Sequence, residues 1–333
     1  MNTNIKKIGL AVLLGLSIVS CDPTSDGDSN PNTGEPKLIA IKSNNTGNAC
    51  NLWDLQNANP ITAISVVPVF SNVRTADFIT SPAVLLGQTT MTWQSSAYDN
   101  VNKKYAVSIA ESIVIYDLTT SAVPPPTTYV LPVATVVVSN RVLAMEYVGG
   151  TLYIVQNNEI KKFVGGIAVS FTTPVMIPPS GIGSNTMSNM TKNGTDIYFV
   201  LKGKLYTFST TSLSITATVT VSGWSADVDY NGLEYLAGKI YCAKRTSSTP
   251  SLDTLVSVDL AGTETNIPLS TPYFKNWSRI SSALDPVNRI YYISSSDGDI
   301  SNTNTMTEVD LNTGLNTTHP NLSGYQFGLQ YKD

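Results

Sequence analysis

The stretch LAMEYVGGTLY, residues 143–153, decides the reading of the chain. Apolar residues recur on both sides of Gly149-Gly150, and a glycine pair accepts the left-handed backbone that folds one strand back on the next. The stretch therefore predicts an antiparallel hairpin. It returns as NGLEYLAGKIY at residues 231–241, with Ala237-Gly238 at the turn. It returns again in GYQFGLQYKD, residues 324–333, where the first strand is present and its second half is missing. A strand without a partner exposes a row of unpaired backbone groups, so this one requires a partner from elsewhere in the chain.

Self-similarity at a fixed period extends the pattern. Tyr105, Tyr153, Tyr198, Tyr241 and Tyr291 each open a strand, at spacings of 48, 45, 43 and 50. Six residues before them stand Asp99, Tyr147, Lys192, Tyr235 and Asp285, and Tyr331 takes the same place in the last stretch. Two positions before these marks come Ala97, Met145, Met190, Leu233, Ala283 and Leu329, all apolar. Three positions before come Ser96, Ala144, Asn189, Gly232, Ser282 and Gly328, none of them bulky. Small residues suit strands that converge on a common axis. A third strand repeats as NLWDL, VIYDL, EIKKF, KLYTF, VSVDL and TEVDL, and four of these carry an aspartate (Asp54, Asp117, Asp259, Asp310) where a strand hands over to a turn.

Units of about 45 residues with four strands each are the signature of a β-propeller blade. The chain after residue 36 reads as all-β, and its six units predict a six-bladed β-propeller over residues 37–333. PKLIAIK, near the N-terminus, supplies a second strand that lacks a first, so ring closure is expected to pair the C-terminal strand with the N-terminal blade. The pairs IYYIS and EVDLNTG, at 290–294 and 308–314, resemble the broad bacterial propeller-repeat class. WD-repeat proteins are a poor match, since Trp53-Asp54 occurs once. A pair of β-sandwiches is the other all-β arrangement, and it gives no reason for the column of small residues.

The N-terminus carries an address. Lys6 and Lys7 precede an apolar run over 8–19, shorter than the ~20 residues of a membrane span and suited to an export signal. The run ends at Leu16-Ser17-Ile18-Val19-Ser20-Cys21, which resembles the lipobox of bacterial lipoproteins. That resemblance implies cleavage after residue 20, acylation of Cys21, a membrane as partner and a place in the cell envelope. The acidic residues after Cys21 resemble the surface-export signal of some bacterial lipoproteins, which favours the outer membrane and the surface, whereas Asp22 directly after the Cys also suits retention at the inner membrane. Residues 21–36, rich in Asp, Ser, Asn, Gly and Pro, read as a flexible tether. The two remaining cysteines, Cys50 and Cys242, fall in units that are not neighbours and are read as buried free thiols. A charged content of 13% and a net charge of −4 give no footing for nucleic acid.

Function is written less plainly. Six residues before each mark, where the first strands begin, stand Trp93, Arg141, Thr186, Asp229, Arg279 and Tyr325. Arginines with aromatic side chains around one funnel mouth suit a glycan, a peptide or a protein partner. The chain is accordingly expected to be a non-enzymatic binding or interaction module without a cofactor. The alternative is a calcium-dependent hydrolase or lactonase: Glu146 and Glu234 share one column of the inner strands, and calcium lactonases on propellers use inner acidic ligands. Asp297, Asp299, Asn302 and Asn304 supply oxygen atoms of the kind calcium accepts, without EF-hand spacing. The single histidine, His319, falls near an outer strand, which leaves no Ser-His-Asp triad at the axis.

Overall fold

The computed structural model describes residues 38–43, 50–54, 59–60, 95–109, 112–119, 127–130, 142–179, 187–246, 254–271, 281–296, 304–319 and 326–332. All regular structure within them is strand. The export signal, Cys21 and the tether lie outside these residues. Residues Pro36–Asp333 form one compact unit.

Near the N-terminus come β1 (Leu38–Ser43), β2 (Cys50–Asp54) and β3 (Asn59–Pro60). Five stretches then each build a sheet of their own. The first holds β4 (Ser96–Asp99), β5 (Lys104–Ile109), β6 (Ser112–Asp117) and β7 (Thr127–Val130). The second holds β8 (Val142–Val148), β9 (Thr151–Gln156) and β10 (Glu159–Val164), with β11 (Ile167–Val169) and β12 (Val175–Met176) both pairing β10. The third holds β13 (Thr191–Asn193), β14 (Asp196–Leu201), β15 (Lys204–Ser209) and β16 (Ser214–Thr220). The fourth holds β17 (Val228–Leu236), β18 (Lys239–Thr246), β19 (Thr254–Asp259) and β20 (Glu264–Asn266). The fifth holds β21 (Ser281–Asp285), β22 (Ile290–Ser296), β23 (Asn304–Asp310) and β24 (Asn316–His319). A composite sheet, in the order β25-β1-β2-β3, joins the last strand, β25 (Gln326–Tyr331), to the first three.

First strands touch first strands of neighbouring sheets: β4 with β8, β8 with β13, β13 with β17, β17 with β21, β21 with β25, and β25 with β4. Antiparallel sheets standing side by side around their first strands make a β-propeller. Burial follows the radial position. The second strand TLYIVQ of β9 is covered on both faces and reads as a nearly unbroken apolar run, whereas the outer strand SITATVT of β16 is largely exposed and threonine-rich. Apolar side chains between adjacent sheets supply the core, each fully buried large one contributing about 1.5–3 kcal/mol.

The structure corrects the columns. Ala97 and Met145 share a column by chain count, yet they meet in one cluster between the β4 and β8 sheets, so they point to opposite faces of their own sheets. The cause is turn length. Gly149-Gly150 makes a two-residue turn closed by the pair Val148 and Thr151, whereas the β4–β5 hairpin is closed by Asp99 and Lys104 across four residues. Asp285 and Ile290 close the β21–β22 hairpin in the same longer way. A six-residue count back from tyrosine therefore lands on the closing pair in these two sheets and one pair earlier in the others. Because side chains alternate, one residue inverts the face. Side chains at equal places in the fold are Tyr98, Tyr147, Lys192, Tyr235, Leu284 and Tyr331. Counted along the sequence from these places, Trp93 and Arg279 come five residues earlier and the other four members of the proposed ring six.

Both longer turns are built alike. The Asp99 carboxylate accepts from the Val101 amide and the Asn102 side chain, and Asp285 accepts from the Val287 and Asn288 amides and the Asn288 side chain. Asp117, Asp259 and Asp310 are turn formers as well: Asp117 accepts from the Thr119 hydroxyl and amide, Asp259 from the Thr263 and Ala261 amides, and Asp310 from the Asn312 amide and the Thr313 hydroxyl. Those bonds hold the three carboxyls below the usual carboxylate range. The side chain of Asp54 lies outside the described residues.

Candidate functional site

Of the six side chains proposed for the funnel mouth, the structure describes one. Asp229, near the start of β17, lies across from Arg245 of β18. Burial pushes its carboxyl up to about 6, with Arg245 pulling the other way. Trp93, Arg141, Thr186, Arg279 and Tyr325 lie outside the described residues, as do Asp297, Asp299 and Asn302. Asn304 begins β23 opposite Ser296, its side chain undescribed. His319 ends β24, the outermost strand of its sheet, as its place in the sequence implied.

The better-defined group of polar side chains lies on the first strands themselves. Glu146 of β8 accepts from Lys192 of β13 at 2.9 Å and from the Tyr147 amide. The same ammonium donates to the Tyr147 carbonyl at 2.7 Å and to the Tyr98 carbonyl of β4 at 3.4 Å, so Lys192 draws together three sheets. Glu234 of β17 accepts from the Ser282 hydroxyl of β21 at 2.7 Å. Gln330 of β25 donates to the hydroxyl and carbonyl of Ser96 on β4. Asn189, just before β13, binds the amide and carbonyl of Leu233, and the Ser281 hydroxyl accepts from the Leu329 amide. In each case a residue of one first strand reaches the first strand of the next sheet. The partners are 44 to 48 residues apart, one repeat length, except where Lys192 reaches across two repeats to Tyr98 and where β25 meets β4.

Electrostatics separates the two glutamates. Burial raises the Glu146 carboxyl while Lys192 draws it down, whereas Glu234, holding only a hydroxyl, is pushed up to about 8 by burial with Glu146 adding to the rise. Burial therefore favours the protonated form of Glu234 near neutral pH. Counting along the chain identified these two glutamates but missed Lys192, Ser282 and Gln330. The missing clue was polar residues one repeat apart in the same strand.

A second polar group lies farther out. Glu264 of β20 accepts from the Tyr230 hydroxyl at 2.5 Å and from Lys244 at 2.6 Å, and its amide donates to the Ser222 hydroxyl oxygen, tying the third sheet to the fourth. Cys242 is a free, buried thiol whose pKa is raised by burial, which makes it inert at neutral pH. Cys50 pairs through its backbone with Ser43, its side chain undescribed. No group of three or more His, Cys, Asp or Glu side chains is placed to hold a metal ion among the described residues.

No family model matches the chain, and no curated protein matches it. Solved structures do. TolB from Acinetobacter baumannii is 13% identical over 89% of this chain and 66% of its own, with a TM-score of 0.54. Kuenenia stuttgartiensis hydrazine synthase is 11% identical over 84% of this chain and 78% of its own, with a TM-score of 0.51. The likeness shows the fold, a β-propeller. It carries no chemistry, since one scaffold hosts many unrelated functions.

Proposed function

We propose that this chain is a membrane-anchored, non-enzymatic binding or interaction module of the bacterial cell envelope. Its six blades close into a ring through the composite sheet, and the mouth where first strands begin, near Asp229, holds a glycan, peptide or protein partner. The anchor is lipid on Cys21, followed by the tether over 21–36, and the domain stands at the outer membrane, exposed on the surface. Closure is supported by the pairing of β25 with β1 and by the contacts of β25 with both β4 and β21. The observation that carries the non-enzymatic reading is the engagement of both inner carboxylates, Glu146 by Lys192 and Glu234 by Ser282. Groups that join blades are committed before any substrate arrives.

Shaving intact cells with protease, then capturing partners with the lipidated full-length chain, tests the reading. Surface cleavage and a captured partner are expected, with capture lost on Trp93→Ala combined with Arg279→Ala. Capture indifferent to that pair sinks the site assignment. The calcium-dependent hydrolase or lactonase reading requires Glu146 and Glu234 to release Lys192 and Ser282. Thermal stabilisation by calcium that Glu146→Gln or Glu234→Gln abolishes would favour it.

A further inference from the structure

A four-stranded antiparallel sheet has two ends. Turns from first to second strand and from third to fourth strand lie at one end, and turns from second to third strand lie at the other, with the starts of the first strands. Among the described residues, eight large apolar side chains are exposed, and six of them lie in or beside turns of the first end. Val101 (75% exposed) and Val287 (83% exposed) tip the two four-residue turns, while Val164, Ile167, Leu260 and Leu315 flank turns from third to fourth strand. The other two, Val169 and Met176, belong to the edge strands β11 and β12. At the opposite end the described turns are Asn157-Asn158 and Lys202-Gly203.

The chain joins the domain at the apolar end. Leu38, the first residue of β1, pairs with Tyr331 at the close of β25. In the composite sheet the approach of the chain from residue 37 thus takes the place where a first turn would stand. The sheets that touch β25 on either side, those of β4 and β21, are the two whose turns carry Val101 and Val287. Two exposed valines therefore flank the place where β1 begins, the side from which the sequence leads back to Cys21.

We propose that this turn face rests on the lipid bilayer, with Val101 and Val287 entering the interfacial layer on either side of the tether. The opposite end, with the starts of the first strands, then points away from the membrane and toward a partner. This rests on the reading of Cys21 as lipidated. A short tether keeps the face at high effective concentration beside the bilayer, so a small apolar contact suffices to orient the domain. Charges at this end are mixed, Lys104 and Lys239 standing against Asp259 and Asp310. The contact is apolar rather than electrostatic, and salt leaves it unchanged.

The test uses the lipidated full-length chain in protein-free vesicles of phosphatidylethanolamine and phosphatidylglycerol. An environment-sensitive fluorophore is attached at Val101→Cys, Val287→Cys or Leu315→Cys, and at Asn157→Cys or Lys202→Cys as the opposite end, with labelling of the unsubstituted chain as background. Blue-shifted emission and loss of quenching by aqueous iodide at the first three sites only, unchanged in high salt, is the expected result. Equal quenching at both ends while the chain still floats with the vesicles overturns the orientation and leaves the anchor standing. A chain that fails to float and carries no acyl mass on Cys21 overturns both. Protection in native membranes but not in vesicles assigns the face to a protein neighbour and removes the lipid.

Discussion

Lys192 of β13 stands 2.9 Å from the Glu146 carboxylate and 2.7 Å from the Tyr147 carbonyl, both on β8. One side chain therefore binds the charge and the backbone of the neighbouring sheet. Lys192→Met keeps the length and removes the charge, leaving Glu146, with 12% of its side chain exposed, without its ammonium partner. A charged hydrogen bond of this kind is worth about 1.5–3 kcal/mol, and exposure of a third of Lys192 places the loss toward the lower figure. Denaturant titration should show that loss. Glu146→Gln in the same chain should restore part of it, because the unpaired charge is then gone. Independent, additive losses would mean that the pair is not coupled.

Glu234 predicts a pH dependence with a definite sign. Its carboxyl titrates at about 8 in the folded chain against an ordinary value of 4.5. Between those values the folded chain holds a proton that the unfolded chain has released. The contribution is complete below the ordinary value and is lost as pH rises through the folded one. Denaturation midpoints measured from about pH 5 to 9 should therefore decline for the natural chain. Glu234→Gln, which keeps an acceptor for Ser282, should flatten that decline. An unchanged slope in the variant would place the titrating group elsewhere.

Much of this was legible in the chain itself, and the part that was not has a physical cause. Strand identity could be read from alternation, and the turn role of Asp117, Asp259 and Asp310 from where they end a strand. The partner of GYQFGLQYKD was also legible, because PKLIAIK lacked a first strand and β25 lacked a second. The face of each residue was not, since the four-residue turns at Asn100–Lys103 and Pro286–Arg289 leave the count to tyrosine intact while inverting the side-chain direction. By chain count Lys192 occupies the same place in its repeat as tyrosines and aspartates do in theirs, so its position along the chain does not reveal its ion pair. Its partner in that pair lies one repeat away on another sheet, where no local periodicity points.

Gly328 supports a third prediction. Its φ of +67° is unfavourable for any residue with a Cβ, and an added Cβ would run into the Tyr105 hydroxyl, which donates to the Gly328 carbonyl at 2.6 Å. Gly232 has the same φ, and its carbonyl takes the Tyr291 hydroxyl at 2.6 Å. Gly328→Ala should cost about 1–2 kcal/mol in backbone strain and roughly 1 more through the displaced tyrosine. In a Tyr105→Phe background the second part should vanish, since the clashing atom is absent. An equal cost in both backgrounds would show that only the backbone matters.

The last prediction concerns the composite sheet. β25 pairs with β1 along its length and touches β4 and β21 on either side, with the Leu329 amide held by Ser281 and the Tyr331 hydroxyl held by Asp285 at 2.8 Å. Leu329 is fully buried, and Tyr331 stacks on Tyr292 with ring centres 6.3 Å apart. Removing residues 324–333 therefore strips β1 of its neighbour and exposes apolar surface on two further sheets. Each large side chain so uncovered forfeits about 1.5–3 kcal/mol. The truncated chain is expected to lose cooperative melting, with amide exchange rising in β1, β4 and β21 before the third sheet. Melting indistinguishable from the full chain would show that the fold does not depend on this strand, and the proposed six-blade closure would have to be abandoned.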